Sequence, residues 1–287
     1  MKRMKNAAFD RRWVAGAFVC LIFFIVLSWA TSVHSAVSVP FPVASGKQVL
    51  TGKSVTIDAS NTADGYIMIK HKGSKKKLMV QIQNGDKVKA THELNGDGNF
   101  EVFSLAYGNG TYKVEVFQAS GSKANEYTRL LSKSIKVNMP DTKKAFLYPN
   151  KYVNYAPDSE TVKVAIQICS GLSTEEEKFN AIWDYISKNM VYDYVKAATV
   201  KSGYVPVVDD VLKAKTGICF DYAAVLATML RVHGIPTQMV FGYLKAQGNA
   251  QYHAWNHVYL GGKWYLKDPT FPGKSYSQSD YTAKEYN

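Results

Sequence analysis

The chain has 287 residues, of which 46% are hydrophobic, 13% aromatic and 20% charged, enough apolar material for one or two globular cores; intrinsic disorder is excluded as its organising state. A formal charge of +12 favours anionic polymers or membrane surfaces, but Lys2, Arg3, Lys5, Arg11 and Arg12 against Asp10 (five minus one) place +4 of it at the N-terminus. The other lysines are scattered and the run GSKKKL (73–78) reads as a solvated turn, so nucleic acid is not an expected partner.

In chain order, the basic N-terminus leads into WVAGAFVCLIFFIVLSWATSV (13–33), 21 residues without Asp, Glu, Lys or Arg, and then HSAVSVP, whose small residues suit cleavage near Ser35 or Ala36. Residues 1–36 are therefore expected to be a signal peptide or an uncleaved membrane anchor, with the rest of the chain secreted or on the outer face of the membrane. No other membrane contact is expected. Cys20, within this stretch, reads as apolar filler.

Residues 37–138 alternate as strands do. SVTID, GYIMIKH, KLMVQIQ, NFEVFSL, GTYKVEVFQ and KSIKVNM are β-rich runs separated by turn sequences such as NGDGN (95–99) and YGNGT, a pattern that predicts an all-β, Ig-like sandwich. NGDGN lacks the acidic ligands and closing Glu of a calcium loop and reads as a hairpin turn. Prolines mark residues 139–157 as a linker. From 158 to 287 the spacing turns helical: Val162, Ala165, Ile166 and Cys169 share one face, Phe179, Ile182, Trp183, Ile186 and Met190 another, and Ser173 with Glu176 makes a capping box.

Two cysteines remain beyond the leader, Cys169 and Cys219, and in an exported chain they could pair as a disulfide. Cys169, however, fits a buried helical stripe, whereas Cys219 follows Gly217 and opens a helix running through DYAAVLATMLRVH to the stop at Gly234 and Pro236. A helix N-terminus stabilises an anion there by about 0.3–1 kcal/mol, up to about 2 in favourable sites. Lowering a thiol from about 8.5 to about 5.5 needs roughly 4 kcal/mol. A reactive Cys219 thus requires a partner, most simply an imidazolium.

YHAWNHVYLGGKWYLKDPT (252–270) supplies one. Its runs flank Leu260-Gly261-Gly262-Lys263, the signature of a two-residue hairpin, so facing residue numbers sum to 523. Trp255 then faces Asp268 and His253 faces Thr270, which makes His253 and Asp268 diagonal neighbours on one side of the sheet. A carboxylate in that place accepts from one ring nitrogen while the other reaches for the thiol. Any one-residue slip would part them.

GICFDYAAVLATMLRVHGIPTQMVFGY followed by YHAWNHVYLGGKWYLKDPT resembles the transglutaminase-like superfamily, with its ordered blocks G-x-C-x-D-x-A, H-A-W and W-x-x-x-D-P-T. The likeness is close over about 60 residues and looser over the helices from 158 and the SGYVPVVDDVLKAKTG approach; exported bacterial proteins that join a β-domain to such a module are similar over most of the chain. The resemblance implies a papain-like α+β fold with Cys219 as nucleophile, His253 as general base and acid and Asp268 as orienting carboxylate. It further implies a thioester route to cross-linking, deamidation or proteolysis of a protein or peptide substrate, with no cofactor and no metal. Tyr204 is a candidate to bind the oxyanion beside the Cys219 N–H, Trp255 reads as core packing before substrate wall, and His257 is either a surface residue of the strand or a cleft residue. His257 stands where many relatives carry an acidic residue. Asp221 is either a first-turn carboxylate or part of the site's scaffold.

A zinc site built on His253 and His257 would need Glu at Ala254, and the alternation there indicates a strand. The alternative from another class is a cell-envelope binding or adhesion protein with a catalytically silent transglutaminase-like domain. Iodoacetamide separates the two: Cys219 is expected to label at neutral pH faster than an ordinary thiol, and His253→Ala to abolish the difference. A slow thiol in both proteins favours the binding module.

Overall fold

The computed structural model describes residues 37–86, 88–121, 126–246, 249–273 and 276–287; the expected leader over 1–36, with Cys20, lies outside the described residues. Eight strands come first: β1 (Val49–Thr51), β2 (Val55–Asp58), β3 (Tyr66–His71), β4 (Leu78–Asn84), β5 (Val88–Leu94), β6 (Glu101–Ser104), β7 (Gly110–Ala119) and β8 (Tyr127–Val137). They form two antiparallel four-stranded sheets, ordered β1-β2-β3-β6 and β5-β4-β7-β8. Alternation drives the pairing: Leu78, Val80 and Ile82 of β4 are buried while Met79, Gln81 and Gln83 are half-buried. With Ile57, Ile67, Ile69, Phe103, Tyr112 and Val114 they make the first core.

All six expected runs are strands. Sequence reading misses β1 and β5, and β5 for a definite reason: its buried residues are Ala90, His92 and Leu94, so a histidine interrupts the apolar alternation. Tyr112, fully buried, keeps its hydroxyl satisfied at the start of β7, donating toward the Leu105 and Gly108 carbonyls, each 2.9 Å away, and accepting the Tyr107 N–H at 3.0 Å.

The segment after β8 is packed rather than free. A 3-10 turn (Thr142–Phe146) delivers Ala145 and Phe146 to the first core, and Val153 and Tyr155 enter the second. Between them the Tyr152 ring lies 5.3 Å from His92 of β5. Residues 37–287 pack as one compact unit.

The second core surrounds α5 (Cys219–Val232), which is buried at every position from Asp221 to Val232. Packed on it are α1 (Glu160–Ile168), α2 (Glu175–Asn189) and α4 (Val208–Ala214); α3 (Tyr194–Thr199) and the parallel pair β9 (Val191–Tyr192) and β10 (Thr216–Gly217) lead up to its N-terminus. The antiparallel sheet β13-β12-β11-β14 covers α5, formed by β11 (Thr237–Ala246), β12 (Asn249–Leu260), β13 (Lys263–Lys267) and β14 (Tyr281–Tyr286). Asn256 of β12 ties sheet to helix, its Nδ2 donating to the Ala223 carbonyl at 3.1 Å.

The α2 cap sits one residue later than expected. Thr174, not Ser173, is the N-cap, and Glu177 rather than Glu176 closes the box, its Oε2 accepting the N–H groups of both Ser173 and Thr174. In STEEE both pairs have the right spacing, and the register that buries Phe179, Ile182 and Ile186 selects the second. Cys169 is buried and Cys219 half-buried, and both thiols are free, so the disulfide alternative is set aside.

Arg231 is 0% exposed, and its guanidinium donates to the carbonyls of Thr237 (2.9 and 2.7 Å), Tyr148 (2.7 Å) and Asn287 (3.2 Å). It joins α5, the start of β11, the connecting segment and β14's end in one knot. Arg231→Met leaves these acceptors buried without a donor and is expected to cost about 3 kcal/mol or more, read as a lower urea midpoint.

Candidate active site

Cys219 is the first residue of α5, with Ile218 as N-cap. The chain reaches it through Gly217, where an added Cβ would stand 2.6 Å from that of Asp221, so only glycine lets the strand approach the helix's first turn. Asp221, 0% exposed, is fully engaged: Oδ2 accepts the Ile218 N–H (2.8 Å) and Lys196 Nζ (2.7 Å), and Oδ1 accepts the Tyr204 hydroxyl (2.5 Å). Lys196 also donates to the Tyr204 oxygen at 2.7 Å. Asp221 is thus the scaffold that pins α3 and the 201–207 loop to the base of the helix that Cys219 opens. It serves the helix dipole as well.

The second component arrives on the hairpin. Observed pairs run from Leu260↔Lys263 to Asn256↔Lys267, each summing to 523, and the turn is made by Gly261 and Gly262 at φ +54° and +87°. His253 Nε2 lies 2.7 Å from Asp268 Oδ2, and the His253 ring is hydrogen-bonded to the Cys219 thiol. With Nε2 engaged by the carboxylate, Nδ1 is the nitrogen facing sulfur. Burial disfavours the imidazolium, but the hydrogen bonds to Asp268 and Cys219 and their charges outweigh it, lifting His253 to about 9.

Asp268 is itself held by two further donors, the Tyr281 hydroxyl on Oδ2 (2.9 Å) and the Thr270 N–H on Oδ1 (3.0 Å). Tyr281 opens β14, and its ring lies against those of Trp255 and His253 at 5.0 and 6.4 Å. Its phenol is raised, by burial first and by the Asp268 charge, so it stays a donor. Sequence reading missed it, since nothing in DYTAKEY distinguishes its first tyrosine from the others. Tyr192 was missed too: its hydroxyl accepts the backbone N–H of Cys219, marking the place expected for an oxyanion, and burial followed by the Cys219 charge raises it to about 12.

The structure decides three open assignments. The Tyr204 ring lines the cleft, but its hydroxyl proton goes to Asp221, so it is not an oxyanion donor. Trp255 is 1% exposed and backs the His253 ring, 6.3 Å away and nearly parallel, so it is core rather than substrate wall. His257 lies beyond Trp255 in a separate cavity of about 460 Å³, bonded to Gln238 Oε1 and to the Trp255 N–H at 3.3 Å each. A period of two keeps 253, 255 and 257 on one face, but a tryptophan in the middle divides that face into two pockets.

Cys219 and His253 open on a cleft of about 1290 Å³ whose opposite wall comes from the first core's sheets, including Thr91 and Glu93 of β5 and Glu101 of β6. A half-buried cysteine at a helix N-terminus, hydrogen-bonded to an imidazole that a buried carboxylate orients, is equipped to attack a carbonyl.

Residues 162–269 match the sequence profile of the transglutaminase-like superfamily. That match supports placing this span with the superfamily. Cys219, His253 and Asp268 all fall inside the transglutaminase-like span, and Tyr281 lies beyond it. The chain is similar to the kyphoscoliosis peptidase of Homo sapiens (29% identical over 164 residues, 54% of this chain and 24% of that protein) and of Mus musculus (36% over 103 residues, 33% and 15%). It therefore spans less than a quarter of the length of these curated relatives. Among solved structures it is similar to a Cytophaga hutchinsonii protein provisionally described as a cysteine protease (18% identity, TM-score 0.44, covering 84% of this chain and 73% of that one). The periplasmic domain of TgpA from Pseudomonas aeruginosa is another such neighbour (14%, TM-score 0.37, 78% and 95%). The general kind the profile match supports is a cysteine acyltransferase or protease.

By NMR, the His253 ring is expected to titrate near 9. Asp268→Asn should lower that midpoint by about one pH unit or more. Tyr281→Phe should raise it, because Oδ2 then has His253 as its remaining side-chain donor. Since the folded value exceeds the ordinary 6.5, this pair's contribution to stability is complete below about pH 6.5 and lost as pH rises through about 9.

Proposed function

We propose that the chain is an exported thiol acyltransferase or hydrolase that acts on glutamine side chains or peptide bonds through a thioester on Cys219. The observation that carries this reading is the continuous line from Cys219 through His253 to Asp268, opening on a cleft large enough for an extended peptide. The raised imidazole carries its proton at neutral pH and is placed to give it to a leaving nitrogen.

The sulfur attacks the substrate carbonyl carbon, and negative charge develops on the carbonyl oxygen near the Cys219 N–H, where it displaces the Tyr192 hydroxyl. His253 gives its proton to the departing nitrogen, the C–N bond breaks and the thioester remains. The now neutral imidazole takes a proton from an incoming amine or water, whose attack forms the new bond as the C–S bond breaks. An amine gives a cross-link. Water gives deamidation or peptide cleavage.

The β-rich part, in this proposal, is an Ig-like substrate-positioning domain joined to the catalytic one. Support comes from its strand order, from the Tyr112 hydroxyl bonded back to the turn before β7, and from its contribution to the cleft wall. The leader of 1–36 supports placement outside the cytoplasm, in the cell envelope or secreted.

Envelope proteins incubated with the enzyme or with Cys219→Ala, then compared by mass spectrometry, test the reading. New isopeptides, deamidated glutamines or new termini are expected with the native cysteine alone, and His253→Ala should lower their rate by about 10³–10⁴. Equal product in the Cys219→Ala sample would refute it.

A further inference from the structure

The chemistry at Cys219 leaves the second cavity, of about 460 Å³, unused. Its floor is a row of facing residues that crosses three strands, Leu266 of β13, His257 of β12 and Gln238 of β11, with Trp264 and Tyr286 of the same sheet beside it. The roof comes from the first core, as Tyr107 in the turn before β7 and Phe146 in the 3-10 turn. That turn is held in place: the Tyr107 N–H donates to the Tyr112 hydroxyl at 3.0 Å and its carbonyl accepts Asn84 Nδ2 at 2.9 Å. The cavity is pre-formed.

Hydrogen bonds orient its polar groups. An indole N–H can only donate, so Trp255 Nε1, 3.3 Å from His257 Nε2, makes that nitrogen an acceptor and leaves the ring proton on Nδ1. Nδ1 then donates to Gln238 Oε1, also at 3.3 Å. Burial lowers the His257 pKa, which keeps the ring in this neutral form. With its oxygen consumed, the Gln238 amide has its two N–H donors to offer a ligand.

Charge and ring geometry narrow the class of that ligand. No Asp, Glu, Lys or Arg lines the cavity, in a chain of which 20% is charged, so neither an anion nor a cation finds a counterion there. A wholly apolar ligand would cover the Gln238 donors without giving them an acceptor. Phe146 stands at 88° to Trp264 and Tyr107 at 77° to Tyr286, so these pairs make corners rather than the parallel slot that would sandwich a flat heterocycle. At roughly a third of the volume of the Cys219 cleft (460 against 1290 Å³), the cavity suits a single ring better than an extended peptide. An uncharged, puckered sugar ring meets these conditions. Trp264, 41% exposed although its ring contacts Phe146 and Tyr259, is available to pack against the C–H face of such a ring. An amide that can only donate favours a carbonyl, which only accepts, and an acetamido substituent carries one together with a methyl group for Leu266.

We propose that this cavity binds an acetamido sugar unit of an uncharged glycan, with Trp264 against the sugar ring and Gln238 donating to the acetamido carbonyl. The site is separate from the Cys219 cleft and stands independently of the thioester reading. It gives the compact unit that carries the cleft a hold on glycan.

Isothermal titration of the full chain with chitotetraose, cellotetraose and a proline decapeptide tests the assignment. The native chain is expected to bind chitotetraose with a Kd of about 1 mM or tighter, and cellotetraose about tenfold more weakly. Trp264→Ala should weaken chitotetraose binding by about tenfold or more, Trp264→Phe should keep it within about threefold, and Gln238→Leu should bring the two oligosaccharides within about twofold of each other. Iodoacetamide labelling of Cys219 at the native rate in each variant shows that the fold persists, since Trp255 separates the two cavities. A further arm, a glycopeptide with terminal N-acetylglucosamine, assigns the source: tighter binding of chitotetraose points to a polysaccharide, and tighter binding of the glycopeptide to a glycoprotein. Equal affinity of the native chain for chitotetraose and cellotetraose, tighter binding of the decapeptide, or chitotetraose binding unchanged in Trp264→Ala and Gln238→Leu overturns the site. So does the absence of any chitotetraose binding.

Discussion

The turn at Gly261 and Gly262 is the constraint on which the site depends. Both residues take positive φ, which gives a two-residue turn whose twist matches the strands it joins. That turn admits one pairing of β12 with β13. In this pairing Asp268, just past the end of β13, comes level with Trp255 and stands diagonal to His253, close enough for a 2.7 Å hydrogen bond. Slip either strand by one residue and the ring and the carboxylate fall on opposite faces of the sheet.

The sulfur is brought to that pair by a different device. A thiol at a helix terminus is held only as firmly as the first turn, and here the first turn is clamped by a buried carboxylate. Asp221 caps the N–H of Ile218, ties Lys196 and Tyr204 to the helix, and keeps all its acceptor capacity occupied while excluded from water. Burying an acid in this way is tolerable because a cation and two hydrogen-bond donors meet it in good geometry. Gly217 is the companion requirement, since any side chain there would displace that carboxylate. Beneath the site, Arg231 at the far end of α5 plays a comparable part, satisfying four chain segments' worth of geometry with one guanidinium and holding the helix in line with the sheet.

Around this frame the cleft is a joint product of both cores. Tyr152 touches His92 of β5 on one side and Phe220 and Phe241 of the second core on the other, so the segment between the two parts is a packed rivet. Side chains from β5, β6 and the connecting segment face Cys219 across the cavity, and what the site accepts depends on residues far from the triad in sequence. The fate of a thioester, in turn, depends on which nucleophile that wall retains and how well water is excluded.

Local periodicity and turn chemistry made much of this legible. The hairpin register, the helix opened by Cys219, the buried stripe that holds Cys169 and most of the β-strands follow from residues within a few positions of one another, where geometry leaves few choices. The α2 cap slipped by one because two overlapping Ser/Thr-x-x-Glu pairs are locally equivalent, and β5 escaped notice because His92 stands in its buried face. What the chain alone could not reveal are contacts between distant segments: Tyr281 on Asp268, Tyr192 on the Cys219 N–H, Tyr204 spent on Asp221, and Trp255 walling off His257. Sequence determined which side chains are candidates for the chemistry and which neighbours share a strand face. Tertiary packing decided which hydroxyls remained free and which ring reached the cavity, because those outcomes depend on what folds back from 13 to 179 residues away.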